Sequence, residues 1–300
     1  MTLWDRVAAA IAEATQRPFH LRAQTPVSGG DINRSHRLEG ADGSCYFVKL
    51  NDVRHAAIPS TWLRTGFAAE AAGLNALAAT QTLRIPCVIA HGTAQGHNFL
   101  VLEQLDLHAH GDATRLGTQL AVLHRCTAER FGFMQDNFIG TTPQPNAWSD
   151  SWIEFWSERR LGHQLDLARH NGLGKTLQTT GAQLLETLPV FFEGYMPQPS
   201  LLHGDLWRGN HSYLADGTPT IFDPAVYYGD RECDLAMTEL FGGYPDDFYT
   251  AYHKAWPLDA GYTQRRQLYN LYHILNHANL FGGSYVPQAQ RMMRALLTAA

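Results

Sequence analysis

Charge is scarce in this chain, and nowhere does it form a run. Asp, Glu, Lys and Arg make up 17% of the 300 residues, with 28 acids against 23 bases for a formal charge of −5. The longest basic clusters are pairs such as Arg159-Arg160 and Arg265-Arg266, too short to follow a phosphate backbone, so nucleic acid is not an expected partner. No run of about 18 apolar residues occurs, and no membrane span is expected. The opening MTLWDRVAAAIAEATQ carries Asp5 and Glu13. It reads as a short amphipathic helix, without the basic flank and apolar centre of a signal segment. Cysteine is limited to Cys45, Cys87, Cys126 and Cys233, widely spaced and without a CxxC pair, which points to reduced thiols in a cytoplasm. Fifteen histidines are present but no HExxH, so a histidine metal centre is not expected.

What the chain does have is apolar content, 45% of its residues, enough to collapse into one large domain or two lobes. AQTPVSGGDINRSHRLEGADGSCYFVKL holds two β-like runs around Gly29-Gly30, then the turn signal Asp42-Gly43, then a third run. GFAAEAAGLNALAAT follows at helical spacing, and CVIAHGTAQGHNFLVLEQL reads as a further hairpin. After Leu105 the pattern turns helical, in TRLGTQLAVLHRCT, WSDSWIEFWSERRLGHQLDLARH and LGKTLQTTGAQLLETL, and again from Glu232 to the end. These helices enclose one compact β-type segment, LLHGDLWRGNHSYLADGTPTIFDPA. The expected organisation is a β-rich N-terminal lobe, residues 1–102, and a larger, mainly helical C-terminal lobe, residues 103–300. No internal repeat is found.

Several residues carry chemistry. Gly29-Gly30 would let backbone N–H groups approach a phosphate, although a tight turn explains the pair equally well, and no GK[ST] of a Walker A loop follows. Lys49 ends an apolar strand, where an unpaired ammonium is costly. Glu70 on the next helix is the candidate partner, an arrangement that can orient the ammonium toward nucleotide phosphates; an ordinary surface pair is the plainer option. His203-Gly-Asp205 followed by Asn210 fits H-x-D-x-x-x-x-N, which supplies a carboxylate for an acceptor hydroxyl and an amide oxygen for Mg²⁺. Thirteen residues on, Asp223 in TIFDPA follows an apolar strand and offers a second hard oxygen. An Asx turn at Asn210 and a cap or turn at Asp223 remain open for each residue alone. Asp234 is either a helix N-cap or a buried acceptor bracing the His203 segment, and His203 is expected to be structural.

At these residues the chain resembles the fructosamine-3-kinase (ketosamine-3-kinase) family, a branch of the protein-kinase-like fold related to the aminoglycoside phosphotransferases. The resemblance extends over SGGDINRSHRL, FAAEAAGLNAL, LLHGDLWRGN, IFDPAVYYGDRECDLAMTELFGG and the aromatic stretch FGFMQDNFIGTTPQPNAWSDSWIEFWSERRLGHQLDLA, from about residue 15 to 285. Trp207 and the NxWxxxW-like spacing of Asn146, Trp148 and Trp152 distinguish this family from the antibiotic kinases. The resemblance implies an α+β, protein-kinase-like bilobal fold, with an antiparallel sheet and one main helix in the small lobe. It also implies ATP-dependent phosphorylation of the sugar 3-hydroxyl of ketosamines, on small amines or protein lysines, in a deglycating role. By position, Asp205 would accept the proton, Asn210 and Asp223 would bind Mg²⁺, Lys49 and Glu70 would position phosphates, and the backbone of Glu103, Gln104 and Leu105 would meet adenine. Trp207, with Tyr227 and Tyr228, could offer flat faces to a sugar, and Asp230 or Glu232 could meet a substrate amine; core packing is the alternative for the aromatics. One departure stands out. Where some members have a loop cysteine proposed as a redox switch, this chain has Asp31, so no such switch is implied and an acid would stand beside the phosphates. Asp205, Asn210 and Asp223 would equally serve a kinase of another hydroxylated amine, aminoglycoside- or choline-like. A kinase-like binding module without activity is disfavoured, because none of Lys49, Asp205, Asn210 and Asp223 is lost.

Overall fold

The computed structural model describes residues 2–27, 34–53 and 60–300, and these fall into two compact units. The first comprises residues 1–112 and 212–224, the second residues 113–211 and 225–300.

The first unit is built on helix α1 (Leu3–Thr15) and strands β1 (Leu21–Val27), β2 (Arg34–Gly40) and β3 (Cys45–Asp52). Helix α2 (Ser60–Ala79) and strands β4 (Val88–Ala94) and β5 (His97–Glu103) complete its N-terminal part. The strands form an antiparallel sheet in the order β1-β2-β3-β5-β4, the three-strand, helix, two-strand order that the patterning predicts. α1 starts in a reciprocal cap between Thr2 and Asp5. It lays Val7 and Ile11 against Phe19, Leu38, Val48, Leu50, Phe99 and Val101. Alternation along β3 places Val48 in that core. Its neighbour Lys49 therefore points to the other sheet face, where α2 packs on β4 and β5. The unit is completed by residues 212–224, which carry most of the hairpin β9 (His211–Tyr213) and β10 (Pro219–Ile221). Bridges tie this return to His108 through Tyr213 and to Arg84 through Thr220.

The second unit is mainly helical. It contains α3 (Ala113–His124), the short hairpin β6 (Asn137–Ile139) and β7 (Thr142–Gln144), and a continuous helical stretch from residue 152 to 170. That stretch runs as α4 (Trp152–Phe155), a π-helix (Trp156–Gly162) and α5 (His163–His170). Helix α6 (Lys175–Thr187) follows, then strand β8 (Ser200–Leu202), which pairs with β11 (Tyr227–Gly229). The chain ends in α7 (Glu232–Leu240), α8 (Asp246–Ala255), α9 (Tyr262–Phe281) and α10 (Tyr285–Ala299), with α3 packed on α8 and α9 on both α7 and α10.

Candidate active site

Two groups of predicted residues assemble, one in each unit. In the first, Lys49 is 6% exposed and its Nζ lies 2.6 Å from Glu70 Oε1 and 2.6 Å from Asp223 Oδ1. Burial alone would favour the neutral amine. The charges of Asp223 and Glu70 outweigh it and hold the lysine well above its ordinary range, as an ammonium. Burial in turn pushes the Glu70 carboxyl up, the Lys49 charge opposing it and the Asp223 charge adding to it. Asp223 has a backbone φ of 58°, a left-handed conformation that aspartate adopts more readily than most non-glycine residues and that Gln16, Gln81 and Gln95 also take in this chain.

At the end of β5, the Glu103 carboxylate is engaged by Arg84 and by the Cys87 N–H at 3.1 Å, while the Glu103 N–H donates to Cys87 O at 2.9 Å. Next to it, Gln104 Nε2 donates to Leu105 O at 2.9 Å. Gln104 Oε1 is shielded from solvent and has no hydrogen-bond partner among the described residues. Gly29, Gly30 and Asp31 lie outside the described residues.

In the second unit, β8 delivers the chain to His203 and then breaks at Gly204, whose φ is 84°. A Cβ at Gly204 would stand 2.0 Å from Ala225 O, so both the turn and the close approach require glycine. Asp234, in the first turn of α7, accepts the His203 N–H at 2.7 Å and the Gly204 N–H at 2.8 Å. Its Oδ2 also meets His124 Nε2 at 3.1 Å, and His124 Nδ1 meets the Tyr252 hydroxyl at 2.8 Å. Burial would raise the Asp234 carboxyl; His124 and the backbone donors overcome it and hold the group below the usual carboxylate range. The Asp205 N–H donates to His203 Nδ1 at 3.2 Å. Asn210, 6% exposed, directs its amide NH₂ to Asp205 O at 2.8 Å and Asp205 Oδ2 at 3.2 Å. Trp207 is 38% exposed; its carbonyl accepts from the Tyr244 hydroxyl at 3.1 Å and its ring meets Phe241 edge-on at 6.3 Å.

Other sequence candidates are placed differently. Tyr227 is buried and stacked on Phe155, so it packs the core and offers no face to a sugar, whereas Tyr228 is half-buried beside Trp148. Asp230 and Glu232 are both buried and already engaged. Asp230 accepts from the Tyr195 and Tyr269 hydroxyls at 3.0 and 2.5 Å, and Glu232 takes a two-pronged bond from Arg265 at 2.7 and 3.0 Å. Neither faces a substrate amine. Sequence reasoning missed His124 and Tyr252, since an isolated histidine and tyrosine on amphipathic helices carry no motif. A cavity of about 750 Å³ bordered by α7, α8 and α9, lined among others by Glu239, Tyr249 and His253, contains none of the motif residues.

The comparisons with known proteins converge on one family. The fructosamine kinase profile matches residues 3–299. A protein from Synechocystis described as a probable ketoamine kinase is 48% identical over 98% of this chain and 97% of its own. The chloroplastic protein-ribulosamine 3-kinase of Arabidopsis thaliana is 41% identical over 89% of this chain and 80% of its own. Among solved structures, one from Haemophilus somnus assigned as a fructosamine-3-kinase superposes with a TM-score of 0.86 at 31% identity, covering 98% and 97% of the two chains. The fold is protein-kinase-like, and the chain belongs to the fructosamine kinase family.

Proposed function

We propose that this chain transfers the γ-phosphoryl group of ATP to the sugar 3-hydroxyl of a ketosamine, with Asp205 as the proton acceptor and Mg²⁺ held by Asn210 and Asp223. Family membership makes it a kinase of ketosamines such as fructosamines and ribulosamines. The observation that carries the residue assignment is the buried Lys49 ammonium drawn to Glu70 and Asp223, at 2.6 Å from each. A buried ammonium is costly unless it is paired, and one held between an acid of the next helix and a potential metal ligand is the arrangement that orients nucleotide phosphates.

The donor chemistry suits the metal. Asp223 presents a carboxylate and Asn210, whose NH₂ is turned to Asp205, an amide oxygen, both of the hard-oxygen type that Mg²⁺ takes. Bound there, Mg²⁺ would offset the negative charge of the phosphates and of the leaving oxygen. The shielded Gln104 Oε1 is an acceptor suited to the amino group of adenine, beside the backbone of Glu103 and Leu105. Lys49, fixed by Glu70, would orient phosphate oxygens. Asn210 and the His203 segment, itself held by Asp234, would keep the Asp205 carboxylate aimed at the acceptor hydroxyl. Positioning and fixed charge supply most of the rate in this chemistry. Trp207, half-exposed two residues from Asp205, is the proposed face for the sugar. A cytoplasmic location and a deglycating role, in which the 3-phosphate breaks down to free the amine, belong to the same proposal.

The test is ADP release by the purified chain with ATP and Mg²⁺ across fructosamines, ribulosamines and aminoglycosides. Turnover on the ketosamines is expected, and Asp205→Asn should lower kcat by about 10²–10⁴-fold with ATP affinity retained. Turnover on aminoglycosides alone, or an unimpaired Asp205→Asn enzyme, contradicts the proposal.

A further inference from the structure

Arg160 is fully buried, and the partners its guanidinium has among the described residues are carbonyl and amide oxygens with no carboxylate. Burying such a cation is costly unless its donors are satisfied. It is sandwiched between rings, with Cζ 4.0 Å from the Tyr227 centroid and 4.5 Å from that of Phe155. Its Nη1 donates to the carbonyls of Pro145 and Arg159 at 2.7 and 3.0 Å, and its Nη2 to Asn146 Oδ1 at 2.8 Å.

From Asn146 the hydrogen bonds run on through buried amides. Asn146 Nδ2 donates to Asn137 Oδ1 at 3.0 Å, as does Gln144 Nε2 at 2.8 Å. Asn137 Nδ2 then donates to Val226 O at 2.7 Å, and Gln144 Nε2 to Ala225 O at 3.1 Å. The Ala225 N–H in turn donates to His203 O at 2.8 Å. A second path runs through the sheet. Tyr227, whose ring lies under the guanidinium, pairs across the sheet with Leu202, next to His203. Both paths end on the residues immediately before Asp205. Tyr272 joins the same amides: its hydroxyl donates to Gln144 Oε1 at 2.7 Å, and burial pushes its phenol up to about 12.

Arg160 itself is set by the π-helix. Trp156 and Arg160 both turn inward from it, and Gly162 is required because a Cβ there would meet Ser157 O at 2.4 Å. Such π-segments recur at functional sites.

We propose that Arg160, acting through Asn146, Asn137, Gln144 and the Tyr227 ring, is a positioning residue that sets the backbone carrying Asp205. The inference rests on the assignment of Asp205 as proton acceptor. Its test uses the full-length enzyme with ATP, Mg²⁺ and a ketosamine, comparing Arg160→Met, Arg160→Lys, Gln144→Met and the double variant Arg160→Met/Gln144→Met. Misplacing a catalytic group lowers the rate by about ten- to a hundredfold. The expected result is a kcat loss of that size in Arg160→Met, with KM for ATP unchanged, and a smaller loss in Arg160→Lys. Because both residues act along one path, the double variant should lose no more than the worse single variant. Should Arg160→Met fail to fold, Gln144→Met and Arg160→Lys carry the same kcat-against-KM comparison. Unchanged kcat in the folded variants, losses confined to KM for ATP, or losses that multiply in the double variant would overturn the proposal. Asp205→Asn in the same assay separates the two readings: if it retains turnover, the catalytic assignment fails and this inference with it, whereas an inactive Asp205→Asn beside unimpaired Arg160 and Gln144 variants refutes the positioning role alone.

Discussion

Replacing Lys49 by methionine would leave the Glu70 and Asp223 carboxylates facing each other without the cation they share, Glu70 in a buried site. Breaking such a cluster costs more than the cluster contributes, because one partner is stranded. Lys49→Met is therefore expected to raise KM for ATP and lower kcat, and to lower the thermal midpoint of the ligand-free chain. An enzyme with unchanged kcat and KM would remove Lys49 from phosphate positioning. The Lys49–Glu70 pair was legible in the sequence, since a lysine amid apolar strand residues demands an acid and the next helix offers one. The contact from Asp223 to the same ammonium was not, because 174 positions separate the two. The pattern around Tyr227 likewise gave no sign of its burial: YYGD has two adjacent aromatics, and only the pairing of β11 with β8 decides which of them faces the core.

At the scale of elements, the turn after β8 is the most constrained piece of backbone. Gly204 combines a φ of 84° with a 2.0 Å approach to Ala225 O, so Gly204→Ala must displace the segment bound by Asp234. A loss of about 2–4 kcal/mol is expected, read as a lowered thermal midpoint together with reduced turnover; an alanine variant as stable as the parent would show that the turn tolerates another path. The long elements of the first unit could be read in advance because periodicity and turn residues agree over many positions. β8 and β11 are three residues each, too short to show a period. The π-helix was hidden for a different reason: WIEFWSERRLG has helical apolar spacing, and a change in hydrogen-bond register leaves no compositional mark. The return of residues 212–224 to the first unit depends on bridges to residues over a hundred positions earlier, which a division of the chain into consecutive halves does not contain.

For the whole molecule, part of the acid sensitivity follows from histidines kept neutral. Burial first, and then the Arg208 charge, lower His211 to about 4, and burial with the neighbouring His277 lowers His273 to about 3. A base depressed in the folded state contributes stability fully present above its unfolded value of about 6.5 and lost as the pH falls toward the folded value. Buried carboxyls such as Glu232, raised to about 7 by burial, act in the opposite sense, so the histidine contribution is read by difference. On acidification from about pH 6.5 to pH 4, His211→Gln should lose less unfolding free energy than the parent in denaturant titrations, and equal losses would contradict a neutral His211. The central claim is chemical, however, and concerns where a phosphate is placed. The most direct measurement is NMR of the product formed from ATP, Mg²⁺ and a fructosamine or ribulosamine, observing phosphorus–proton coupling along the sugar. The account predicts a phosphate on the oxygen of carbon 3, followed by release of the free amine. Phosphate on another hydroxyl, or no phosphorylated ketosamine under conditions where an aminoglycoside is phosphorylated, would contradict it.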